Sequence, residues 1–216
     1  WDGLVYLSAH KILLMSFVVD LIAMVFGMPR ALFPQIAHES FGGPAEGGLA
    51  FALLFAGIPA GAVLGGVLGG WVSRVKREGL AIMWAIAVWG GAMAVLGVAV
   101  GLAPVAGGLM LGLALAMLVV GGAADMASAA FRQSLLLGAT DDAVRGRLQG
   151  VFIVVVAGGP RIADMLHGGA AELVGPAVAT GGGGLLVLVG IALVALLHPR
   201  FHRFRLADAH GGNLPG

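Results

Sequence analysis

The sequence predicts an all-α membrane protein of six transmembrane helices, and three observations lead there. Hydrophobic residues make up 59% of the 216-residue chain and charged residues only 11%. The apolar residues fall into six runs of membrane-spanning length, and the basic residues collect in alternate connections between them. A soluble domain carries roughly 25% charged residues, so too few charges remain here to clothe a water-facing globule. Helices are the expected spanning element, because an open sheet would leave backbone N–H and C=O groups unpaired in lipid.

Span one covers about 12–36 and contains Asp20 and Arg30. Span two follows at 49–71, span three at 80–102 and span four at 107–130. Span five, 150–173, contains Arg161 and Asp164; span six is 177–197. At ~1.5 Å rise per residue each run is long enough to cross a hydrocarbon core of ~30 Å. Residues 1–206 therefore form one six-helix transmembrane unit, and the Gly-rich tail 207–216 reads as disordered. The chain opens at Trp1 rather than Met, and no small-residue cleavage site follows the first run. It is expected to be a piece of a longer reading frame, not one headed by a signal peptide.

The connections carry the orientation. Lys11 precedes span one, and Arg74, Lys76 and Arg77 lie between spans two and three. Arg132, Arg145 and Arg147 lie between four and five, and Arg200, Arg203 and Arg205 follow six. With helices of alternating direction, these ten of the twelve Lys and Arg residues share one side. The opposite connections, around 38–48, 103–106 and 172–176, hold no Lys or Arg. The positive-inside rule then places both termini in the cytoplasm.

A charge near the bilayer centre costs at least ~2.5 kcal/mol, so each intramembrane charge is a functional candidate. Counting from the cytoplasmic anchors at ~1.5 Å per residue, Asp20 lies roughly 13 Å deep and Asp125 roughly 10 Å. On the same count Arg161 lies roughly 21 Å deep, Asp164 roughly 25 Å and Arg30 roughly 28 Å. Asp20 and Asp125 thus share the inner half of the membrane as candidate proton carriers, or else as partners of a neighbouring Arg. Arg161 and Asp164 are i, i+3 neighbours that can neutralise each other; alternatively Arg161 faces a central cavity as an anion-binding or coupling residue. Arg30, beside Pro29 near the outer surface, reads as an interfacial anchor or gate.

Other features are structural first. Gly57, Gly61, Gly65 and Gly69 recur every fourth residue and line one stripe, which lets another backbone approach closely; the stripe is a packing face or a sliding face. Gly158-Gly159-Pro160 is expected to bend span five. His167 reads as a polar rim residue near the outer end. The chain has no Cys, and no metal site or cofactor is expected.

Several classes are disfavoured by their missing motifs. Ser16 and Ser128 lie in spans without the Gly-x-Ser-Gly context of an intramembrane serine protease. His38-Glu39 lacks the second His of a zinc protease. No basic nucleic-acid module is left over once the spans are placed. The competing non-enzyme reading is a six-helix membrane protein acting as a homodimeric transporter or as an accessory subunit.

The segment Gly69-Gly-Trp-Val-Ser-Arg74-Val-Lys-Arg77-Glu resembles the cytoplasmic loop between helices two and three of each half in the major facilitator superfamily. That pattern is Gly-x-x-x-Asp-basic-x-Gly-basic-basic. Gly69, Arg74 and Arg77 fit it, whereas Ser73, Lys76 and Glu78 depart from it, as a degenerate second-half copy would. The stretches Met28-Pro-Arg-Ala-Leu-Phe-Pro34 and Arg145-Gly-Arg-Leu-Gln-Gly-Val-Phe152 are similar to actinobacterial members of its enterobactin-exporter-like branch. The resemblance implies the C-terminal half of a twelve-helix bundle in the bacterial inner membrane. Its partners would be the lipid bilayer, a missing N-terminal six-helix half, a small-molecule substrate and protons. It further implies that Asp20, Asp125, Arg161 and Asp164 sit on cavity-side helices, and that the two halves rock in alternating access.

Overall fold

A computed structural model describes residues 11–138, 142–199 and 201, and these are helical almost throughout. Helix α1 spans Lys11–Gly27. Pro29 then interrupts the backbone ladder, and the chain continues through tight helical turns at Arg30–Leu32, Phe33–Gln35 and Ile36–Ser40. Helix α2 is Leu49–Val67 and carries Pro59 inside it. A 3-10 segment, Gly69–Arg74, leads to α3, Glu78–Gly138, and α4 follows at Asp142–Leu197. The tail 207–216 and the basic residues Arg200, Arg203 and Arg205 lie outside the described residues.

Among the described residues four helical stretches are long and apolar enough to cross a membrane: Lys11–Ser40, Leu49–Val67, Glu78–Leu136 and Leu148–Leu197. Six separate helices were expected, and this count differs. The runs 80–102 and 107–130 both belong to α3, and 150–173 and 177–197 both belong to α4. The connections at 103–106 and 172–176 are so short that each pair of runs is joined through a single non-helical residue, Ala106 or Gly175.

Neither long helix is a straight rod. At ~1.5 Å per residue, the 61 residues of α3 would reach roughly 90 Å, far more than one hydrocarbon thickness. Ala106, two residues past Pro104, takes φ −148° and ψ 56° inside α3. Gly175 takes φ 81° and ψ 160° inside α4, just before Pro176. That positive φ is strained for any residue with a Cβ. Contacts across each break show the chain doubling back. A side chain at Gly121 would meet Met93 Cε at 2.9 Å, and one at Gly183 would meet His167 Nε2 at 2.8 Å. Residues 93 and 121 flank the Ala106 break, and 167 and 183 flank Gly175.

The most extensive helix contacts are α3 with α4, α2 with α3 and α1 with α4. The Gly stripe of α2 is consumed in the second of these. Gly61 packs on the Val119 carbonyl, Gly65 lies where a Cβ would sit 2.9 Å from Ala123 Cα, and Gly57 faces Leu118. No room is left there for more than hydrogen, as expected where van der Waals contact holds helices together. Gly69 ends the stripe without such a neighbour. The expected bend at Gly158-Gly159-Pro160 brings no irregular residue: α4 runs through it, and its non-helical residue is Gly175. Proline already has a helical φ, so the missing N–H can be absorbed inside a packed bundle.

The outward surface is apolar. Trp84 is 66% exposed and Leu173 86%, and many Leu and Val residues along α2, α3 and α4 are likewise exposed. Such a surface is compatible with a membrane protein, whose outer face meets hydrocarbon.

Candidate functional site

A cluster of polar groups lies inside this apolar bundle. Asp20 on α1 is 2% exposed and forms an ion pair with Arg132 on α3, itself 6% exposed. The Arg132 Nη1 also donates to the Ser128 hydroxyl at 3.2 Å, one helical turn back. Asp125, half-buried two turns before Arg132, lies within electrostatic reach of both Arg132 and Asp20. The spacing explains why one face of α3 gathers them: 125, 128 and 132 are i, i+3 and i+7. Ser16, one turn before Asp20 on α1, spends its hydroxyl on the Leu13 carbonyl at 2.7 Å.

These residues border a small cavity. Ser16, Phe17, Asp20, Arg132, Leu136 and Phe152 line about 10 Å³, close to the least space that one water needs, roughly 10–15 Å³. Arg132 Nε has no hydrogen-bond partner among the described residues and is fully buried. A guanidinium has five donors, so this one retains unused capacity. Arg is permanently charged, whereas Asp can take a proton. The pair is therefore a fixed cation held against a titratable anion, between a helix near the start of the chain and one more than a hundred residues on.

The other candidates do not join this cluster. Arg161 is exposed and Asp164 half-buried, and no ion pair links them among the described residues. Asp164 instead interacts with His167, one turn further along α4. His167 was expected as a rim residue, but it is 4% exposed. Its Nδ1 donates to the Ala163 carbonyl at 3.1 Å, and Gly183 leaves space for its ring beside the Phe26 carbonyl. Arg30 is exposed at the turn after Pro29, compatible with an interfacial position. Arg74 ends the segment that Gly69 begins and Arg77 directly precedes α3, and both are exposed.

Arg132 is the residue that sequence reasoning misplaced. It was assigned to the connection between spans four and five, but α3 continues to Gly138 and keeps it buried. Arg132 thus leaves the set of basic residues expected in the connections. Asp125 stands thirteen residues before the helix end at Gly138, roughly 20 Å along the axis, rather than close to a connection. The available signal was its register with Asp125 and Ser128.

The chain matches no protein-family model, and comparison with curated proteins and with solved structures gives no match.

Proposed function

We propose that this chain is a six-crossing unit of a secondary active transporter of the major facilitator type. It would move a small molecule across a bacterial cell membrane by alternating access, with protons as the coupling ion and both termini cytoplasmic. The observation that carries the proposal is the buried Asp20–Arg132 pair between α1 and the second half of α3. A buried pair is favourable only while both charges are present, and removing one partner leaves the other uncompensated. Protonation of Asp20 would do that to Arg132 without any mutation. The tie between the two helices would loosen, which converts proton binding into helix separation. Asp125 and Ser128, on the same face as Arg132, offer the guanidinium a second resting place.

The six-crossing count draws on the reversals at Ala106 and Gly175, which would turn α3 and α4 into two crossings each. The exposed Arg161, in mid-span by the sequence count, favours a second six-crossing unit against that face, since a lone Arg facing lipid is costly. A homodimer would supply it as well as a separate half would.

The test is transport in vesicles carrying the complete transporter, with an imposed pH gradient and a panel of candidate small molecules. Asp20→Asn is neutral at every pH and cannot cycle, so gradient-driven accumulation falls at least about tenfold while exchange without a gradient persists. Asp125→Asn is expected to weaken coupling in the same sense. Wild-type uptake with unchanged pH dependence in both variants would remove the coupling role.

A further inference from the structure

A groove runs along the outside of the bundle between the end of α2 and both halves of α3. Its volume is about 600 Å³, well within the range of roughly 300–1,000 Å³ typical of small-molecule pockets. Leu64 and Leu68 at the end of α2 line it, together with Ala81, Trp84 and Val88 from the first half of α3 and Ala124 from the second. The short alanine side chains make the slot. Residues 81, 84 and 88 follow i, i+3 and i+7 spacing, so one face of α3 presents them all.

The same two helix ends hold a cationic segment. Leu68 leads directly into Gly69–Arg74, and Ala81 lies three residues past Glu78, the first residue of α3. Between them Arg74, Lys76 and Arg77 are all exposed, against a single carboxylate, Glu78. The apolar slot and the positive cluster are thus joined by the chain itself at one end of α2 and α3.

We propose that this composite is a binding site for one anionic phospholipid. An acyl chain lies in the slot against Trp84, and the phosphodiester headgroup is held by Arg74, Lys76 and Arg77. A zwitterionic lipid would fill the slot but bring an ammonium group to the cations along with its phosphate. A soluble phosphate would take the cations and leave the slot unfilled. Only an amphiphile with a negative head answers both features, and basic clusters at the ends of membrane helices recognise such heads. The proposal does not depend on the transport function.

The full chain in phosphatidylcholine vesicles tests it, using lipids with brominated acyl chains as contact quenchers of tryptophan fluorescence. The chain has four Trp residues, so the Trp84 signal is taken as the difference between wild type and Trp84→Phe. Brominated phosphatidylglycerol is expected to reach half-maximal quenching at a mole fraction about fivefold below that of brominated phosphatidylcholine, the preference one well-placed cation supplies. The triple substitution Arg74→Gln, Lys76→Gln, Arg77→Gln brings the two lipids level, while Arg74→Lys with Arg77→Lys keeps the preference. Equal quenching by both lipids in the wild type overturns the proposal. So does a preference that survives the triple substitution, or one abolished by millimolar inorganic phosphate, which would make the site a headgroup site alone.

Discussion

At the residue scale the decisive group is Arg132. Held by Asp20 and Ser128 beside a cavity of about 10 Å³, it stabilises the bundle only in company. Replacing it by Met leaves Asp20 buried without a counter-charge, and a loss of about 3–5 kcal/mol is expected. Replacing both, Asp20→Leu with Arg132→Met, removes the orphaned charge and recovers most of that loss. Unfolding titrations of the four members of this cycle in detergent micelles measure it; a double variant no more stable than Arg132→Met would show that the pair is not coupled. Asp20 and Asp125 were legible as acids within helices, because each interrupts a long apolar run. Their common partner was not. The stretch Phe131-Arg-Gln-Ser134 is polar enough to read as a connection, and only the packing of α1 against α3, a tertiary fact, makes a helix interior of it. The i, i+3 neighbours Arg161 and Asp164 failed in the opposite way: sequence spacing permitted a pair, but none links them among the described residues, Arg161 being exposed and Asp164 lying within electrostatic reach of His167.

Elements tell a similar story. The periodic glycines of α2 were legible as a close-packing stripe, but which helix they meet depends on the fold, and that helix is the second half of α3. A branched side chain at Gly61 would run into the Val119 carbonyl. Gly61→Val is therefore expected to cost about 1–3 kcal/mol by forcing the helices apart, whereas Gly69→Ala, with no close neighbour beyond Val72 at 4.0 Å, should be tolerated. Thermal unfolding of both variants distinguishes a packed stripe from a loose one; equal melting temperatures would exclude it. The merging of expected helices into α3 and α4 was not legible. Pro104 and Pro176 mark both turns, but a hydropathy pattern cannot tell a short loop from a helix kinked through one residue.

For the whole molecule, composition and hydropathy alone led to apolar helices of spanning length, and the structure has them. The number of crossings and the side on which the basic segments lie decide whether the transporter proposal holds, since an alternating-access half needs its cationic loops on one face. The chain has no Cys, so single cysteines can report directly. They would be introduced at Glu46, Lys76, Val105 and Glu172, and treated with a membrane-impermeant maleimide in right-side-out and inverted vesicles. Six crossings predict that Glu46→Cys, Val105→Cys and Glu172→Cys label only from the outside, and Lys76→Cys only from the inside. Labelling of Lys76→Cys and Val105→Cys from the same side, or protection of Val105→Cys and Glu172→Cys from both, would contradict the six-crossing unit and the transporter built on it.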